Sequence, residues 1–188
     1  MPAAEGLALY DAALRTSEPL VEIGTYCGKS SVYLGAAARE RGTVLFTIDH
    51  HRGSIEMQSD WEHHDPDVVD PRTGRMDSLP FFRRTMEDAG LEDVVIAIVG
   101  DSASVARHWT TPIGFLFIDG GHDEDVAMRD YESWAPKLTD HGLLAIHDVF
   151  EDPSEGGQGP FRVYERALRE GYEEEVSVGS LRVLRCAP

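Results

Sequence analysis

LVEIGTYCGKSS, Leu20–Ser31, decides the fold when read with Asp49, the acid closing the next apolar run in TVLFTIDHH. Val21 and Ile23 form a short buried strand, Glu22–Gly28 turns sharply, and Lys29–Arg39 is the helix that follows. Gly24 and Gly28 remove Cβ atoms where backbone must approach a ligand, and the helix start offers free N–H groups to a carboxylate or phosphate. About 25 residues on, Asp49 ends the second strand, where an acid can accept hydrogen bonds from two ribose hydroxyls. The pair predicts an adenosine-type cofactor.

A dinucleotide turn reads G-x-G-x-x-G, with its middle glycine admitting a pyrophosphate. Here Tyr26 takes that place and the spacing is G-x-x-x-G, which disfavours pyrophosphate. An acid two residues before the first glycine suits a ligand with a cationic end, such as the amino group and sulfonium of S-adenosylmethionine. Glu22, Gly24 and Gly28 match the form [D/E]-x-G-x-x-x-G, and here the chain resembles the class I S-adenosylmethionine-dependent methyltransferases. The resemblance implies a cofactor site on Glu22, Gly24, Thr25, Tyr26, Gly28 and Ser30 of the turn. Asp49 and His50 join it after strand two, Asp101 and Ser102 after strand three, and Asp119 after strand four.

With 188 residues, one domain spanning 1–188 is expected. Lys and Arg number 17 against 34 Asp and Glu, and the net charge of −17 repels nucleic acid and anionic membrane alike. Cys27 and Cys186 suggest neither a disulfide scaffold nor a cysteine metal site, and they are read as reduced. The amino terminus has no basic segment followed by a long apolar core, and no run approaches the roughly 18 apolar residues of a spanning helix. A cytoplasmic protein is expected.

Gly6–Arg15 is a short amphipathic helix leading into strand one. After strand two, Val44–Asp49, comes a polar stretch, His50–Ser78, longer than ordinary connections and read as a lid or substrate loop. A helix from Asp77 or Ser78 to Gly90 precedes strand three, Val94–Val99; a short helix Ser102–Trp109 precedes strand four, Phe115–Ile118. Helix Glu124–Lys137, strand five Leu143–Ile146, a glycine-rich loop Phe150–Gly159 and helix Phe161–Glu170 follow. Glu173–Val178 and Leu181–Cys186 close the chain as a hairpin across Gly179-Ser180. Buried strands alternating with helices predict an α/β doubly wound, mostly parallel sheet of seven strands with an antiparallel last strand, the Rossmann-like methyltransferase architecture.

Right-handed crossovers bring Glu22, Asp49, Asp101, Asp119 and Asp148 to the carboxyl edge of that sheet. Asp101 can hold an adenine amino group, cap the following helix, or do both. Asp119 and His147-Asp148 end neighbouring strands, where their side chains can share Mg²⁺ or Mn²⁺. A divalent ion there would lower the pKa of a substrate hydroxyl and orient it toward the methyl group. The endings are similar to those of metal-dependent O-methyltransferases. That resemblance implies Asp119, His147 and Asp148 as metal ligands, with His147 standing where an acid is usual and serving as ligand, substrate contact or base. His122 falls where catechol-type relatives carry a base, and its ordinary pKa of about 6.5 suits the task.

His50, His51, Trp61, His63 and His64 lack zinc-ligand spacing and are read as loop residues, with Trp61 a candidate substrate platform. The polar, acidic loops favour a polyhydroxylated acceptor, a small molecule or oligosaccharide, over a flat phenol. The Asp-Gly-x-His and His-Asp endings are similar to those of sugar O-methyltransferases, among them the enzymes of methylated-mannose polysaccharide synthesis. A catechol O-methyltransferase, a NAD-binding oxidoreductase and a non-catalytic nucleotide-binding protein are the alternatives. A homodimer is expected, with a second subunit or the His50–Ser78 loop covering the site.

Overall fold

The computed structural model describes residues 1–53 and 65–186. The main sheet takes its first three strands from β1 (Leu20–Ile23), β2 (Leu45–Asp49) and β5 (Val95–Val99). The remainder of the main sheet is β6 (Ile113–Ile118), β7 (Leu138–Ile146), β8 (Tyr172–Val178) and β9 (Leu181–Cys186). They lie in the order β5-β2-β1-β6-β7-β9-β8, and β9 alone runs against its neighbours. The expected seven-stranded sheet with an antiparallel last strand is the one observed.

Alternation along the strands divides the interior into two layers. Leu20 of β1 with Phe115 and Phe117 of β6 faces Leu9, Leu34, Phe82 and Met86, from α1 (Ala3–Ala13), α2 (Lys29–Arg41) and α3 (Leu79–Ala89). Val21, Ile23, Leu116 and Ile118 face Ala106, Tyr131, Trp134 and Val163 on the other side. Those belong to α4 (Ser102–Ala106), α5 (Glu124–Trp134) and α6 (Gly159–Arg169). Every residue of β6 is buried, as a central strand covered on both faces requires. Each large side chain so buried contributes about 1.5–3 kcal/mol.

Several boundaries differ from the sequence reading, three of them at β7, α5 and α4. β7 starts at Leu138 rather than Leu143: Leu138 pairs with Ile113, and a register shift carries the polar Thr139-Asp140-His141 past before Leu143 meets Phe115. Helix α5 stops at Trp134 and tightens into a 3-10 turn over Ala135–Lys137, since Pro136 supplies no N–H to an α-helix. Helix α4 ends at Ala106.

The stretch read as a loop over His50–Ser78 is partly built. Its described part holds a 3-10 turn, Pro66–Val68, and a two-stranded ribbon of β3 (Val69–Asp70) and β4 (Arg75–Met76). Val68 and Met76 are buried, and the ends are tied where His51 Nδ1 meets Ser78 Oγ at 2.8 Å. Trp61, His63 and His64 lie outside the described residues.

From β1 the chain winds outward through β2 to β5, and from β6 it winds the other way through β7. The order therefore reverses between β1 and β6, which opens a crevice beyond their carboxyl ends.

Candidate active site

Gly24 closes the crevice floor. Its φ is +88°, and a Cβ there would overlap the carbonyl oxygen of Asp119, so the turn after β1 meets the turn after β6 backbone to backbone. Above that contact lies a cavity of about 270 Å³. It is lined by Gly24-Thr25-Tyr26, Asp49-His50, Gly100-Asp101-Ser102 and Asp119–Asp123, with Val126, Arg129 and Asp130 of α5.

Asp49 holds this arrangement in place. Its Oδ2 accepts the backbone N–H groups of Thr25 and Tyr26 at 2.9 Å each, and Oδ1 accepts that of His51 at 2.7 Å. Of roughly four lone-pair positions on a carboxylate, three are thus filled by backbone. Asp49 therefore braces the glycine turn while lining the cavity, beside the exposed His50. Tyr26, His51 and Asp148 all adopt positive φ, at 50°, 57° and 55°, so backbone strain gathers at this one edge.

Glu22 departs from expectation. Strand alternation turns it away from the cavity, toward the start of α2, where Ser31 Oγ donates to it at 2.5 Å. It is fully buried, Oε1 has no partner among the described residues, and burial pushes its carboxyl up to about 7. Gly28 and Ser30 also lie off the cavity: Gly28, at φ +90°, faces Phe82 and Met86, and Ser30 is buried in the helix.

Asp101 does line the cavity while capping α4, with Oδ2 accepting from Ser104 N–H at 2.8 Å and Oδ1 lying 3.3 Å from Arg129. Ser102 Oγ accepts from Trp134 Nε1 at 2.8 Å.

At the carboxyl ends of β6 and β7, Asp119, His147 and Asp148 each present a ligand atom, all within 4.8 Å of one another. His147 Nδ1 lies 3.1 Å from Asp119 Oδ1 and 3.2 Å from Asp148 Oδ1, and its Nε2 lies 2.9 Å from Glu5 of α1. Burial opposes a charged imidazole, but the hydrogen bonds and charges of Asp119 and Asp148 outweigh it and push His147 up to about 11. Burial likewise works against Asp148 as an anion, yet hydrogen bonds from His122 and His147 hold it well below the usual carboxylate range. Both ring nitrogens of His147 thus face carboxylates, at 2.9 to 3.2 Å. His122 lines the cavity, and its Nε2 lies 3.0 Å from Asp148 Oδ2. The glycine loop packs on it, Gly159 N–H donating to the His122 carbonyl at 3.1 Å.

A profile described as a methyltransferase domain matches residues 21–149, well over half of the sequence and all of the cavity lining. The chain belongs to the methyltransferase-domain family. Solved methyltransferases share its fold from end to end. The O-methyltransferase TomG from Streptomyces achromogenes, involved in tomaymycin synthesis and solved with SAM, is 19% identical with a TM-score of 0.67, matched over 100% of this chain and 82% of its own. An O-methyltransferase from Bacillus cereus, solved with SAH, is 18% identical at 0.65, over 98% and 82%. SAH-bound PaMTH1 of Podospora anserina is 14% identical at 0.70, over 100% and 80%.

Several residues of this methyltransferase site were not singled out by the sequence reading. Glu5 and Asp130 carried a signal, since each sits on a buried stripe of its helix, with Leu9 and Ala12 in one case and Ala127, Tyr131 and Trp134 in the other. Ser180 and Ser78 carried none.

Proposed function

We propose that the protein is an S-adenosylmethionine-dependent O-methyltransferase, assisted by a divalent metal, whose acceptor is a carbohydrate hydroxyl. The observation that carries the reading is the convergence of Asp119, His147 and Asp148 beside the cavity, with His122 on Asp148. Methyl transfer from a sulfonium disperses charge, so the site must mainly align donor and acceptor and keep the acceptor oxygen deprotonated. The glycine turn, Asp49, His50, Asp101 and Ser102 surround the space for the donor, and His122 is the group that takes the hydroxyl proton.

The donor set fits a metal: two carboxylates and one imidazole nitrogen, a mixture better suited to Mn²⁺ or another transition ion than to Mg²⁺. Such an ion would be held by Asp119, Asp148 and His147 Nδ1, and would lower the pKa of a bound hydroxyl. The carbohydrate reading is supported by the polar wall around His122, where Asp119, Asp123, Arg129 and Asp130 line the cavity and can hydrogen-bond hydroxyls.

The test is calorimetric titration of S-adenosylhomocysteine into chelator-treated protein, with and without Mn²⁺ or Mg²⁺ and with NAD as competitor, followed by methyl transfer to mannosides and to catechol. Binding of S-adenosylhomocysteine over NAD, and metal-stimulated transfer to the sugar, are expected. Catechol as the sole acceptor would overturn the carbohydrate reading.

A further inference from the structure

Glu5 stands in the first turn of α1, far along the chain from the reaction edge, yet is only 3% exposed and ends among its side chains. Its Oε1 accepts the Ser180 N–H at 2.7 Å and the Ser180 hydroxyl at 3.1 Å, and its Oε2 lies 2.9 Å from His147 Nε2. Gly179 leaves room for this: at φ +55°, a Cβ there would overlap Glu5 Oε1. With Oε1 committed to Ser180, Oε2 has one orientation.

We propose that Glu5 is a positioning residue for the acceptor-side cluster: it takes the Nε2 hydrogen of His147 and so presents Nδ1 to the ion shared by Asp119 and Asp148. This rests on the metal-assisted reading above. A carboxylate has no hydrogen to give, so the nitrogen facing Glu5 must carry one. When an ion replaces the hydrogen on Nδ1, the bond to Glu5 keeps the ring from turning, because turning it would leave a buried carboxylate unpaired. Such outer partners of metal-bound histidines fix the ring and its tautomer, and losing one typically weakens metal affinity by about 10- to 100-fold. The first helix thereby acquires a role in the chemistry as well as in the core.

Glu5→Gln separates this role from packing. Its oxygen still serves Ser180, but its amide now offers a hydrogen to His147 Nε2, which drives the imidazole hydrogen onto Nδ1, toward the acids. Mn²⁺ is titrated calorimetrically into the full chain saturated with S-adenosylhomocysteine, as wild type and as Glu5→Gln, with cofactor affinity and melting temperature measured alongside. The variant is expected to bind Mn²⁺ about 10- to 100-fold more weakly while cofactor affinity stays within a few-fold. Equal Mn²⁺ affinity in the two proteins overturns the role of Glu5. No Mn²⁺ binding by the wild type overturns the metal reading and this proposal with it. Nitrogen-15 NMR of the histidine-labelled wild type with Mg²⁺ reads the same hydrogen without a variant: a protonated Nε2 on His147 is expected, and a bare Nε2 overturns the proposal.

Discussion

Asp148 joins both halves of the acceptor side: Oδ2 meets His122 at 3.0 Å, while Oδ1 lies 3.2 Å from His147 and 3.3 Å from Ser180. Asp148→Ala is expected to abolish methyl transfer while leaving S-adenosylhomocysteine affinity within a few-fold, as calorimetry and a methyl-transfer assay would show. Because its folded pKa is depressed, Asp148 contributes stability above its unfolded value of about 3.9, lost as pH falls through the folded value. Glu22 has the opposite sign. Raised from 4.5 to about 7, its carboxyl costs the fold stability as pH climbs through that interval, and the cost persists above it. Glu22→Gln should therefore gain on wild type between pH 5 and pH 8, by on the order of 2 kcal/mol, in denaturant unfolding at both pH values; an equal difference at both would refute it. The sequence marked Glu22, Asp49 and Asp148 as acids at strand ends. It could not assign their partners, because a strand's alternation decides which face Glu22 takes and only the folded turn shows how many N–H groups converge on Asp49.

Elements were legible in proportion to their burial. Apolar runs such as Phe115–Ile118 and the Gly-Ser hairpin were plain, whereas β7 carries the polar Thr139-Asp140-His141 just after Leu138, and the register with β6 shifts past them. The ribbon β3–β4 is two residues per strand, too short to show a period. The glycine loop Phe150–Gly159 was read from composition, but its use is steric: Gly157 leaves space for His122. Gly157→Ala is expected to push His122 from its place, lowering kcat by an order of magnitude or more while cofactor affinity holds. Unchanged kcat would show that the loop yields instead.

Across the whole molecule, the reversal of strand order between β1 and β6 makes the crevice, and every rim acid follows from it. That much was derivable from strands, helices and handedness. The joining of α1 to the far end of the sheet was not, since residues 175 apart in the chain had to meet. The net charge of −17 makes self-repulsion a global term, so raising NaCl from about 20 to 300 mM should raise the melting temperature as charges are screened. A second global expectation, the homodimer, is settled by sedimentation velocity, where a monomer at working concentration would refute it. The bond between Glu5 and Ser180 also bears on synthesis. His147 meets Glu5, Asp119 and Asp148 directly, but the orientation of Glu5 depends on Ser180, which a nascent chain supplies only after those four residues have emerged. A product stopped before residue 180 would keep the glycine turn but lack the Ser180 contacts that orient Glu5.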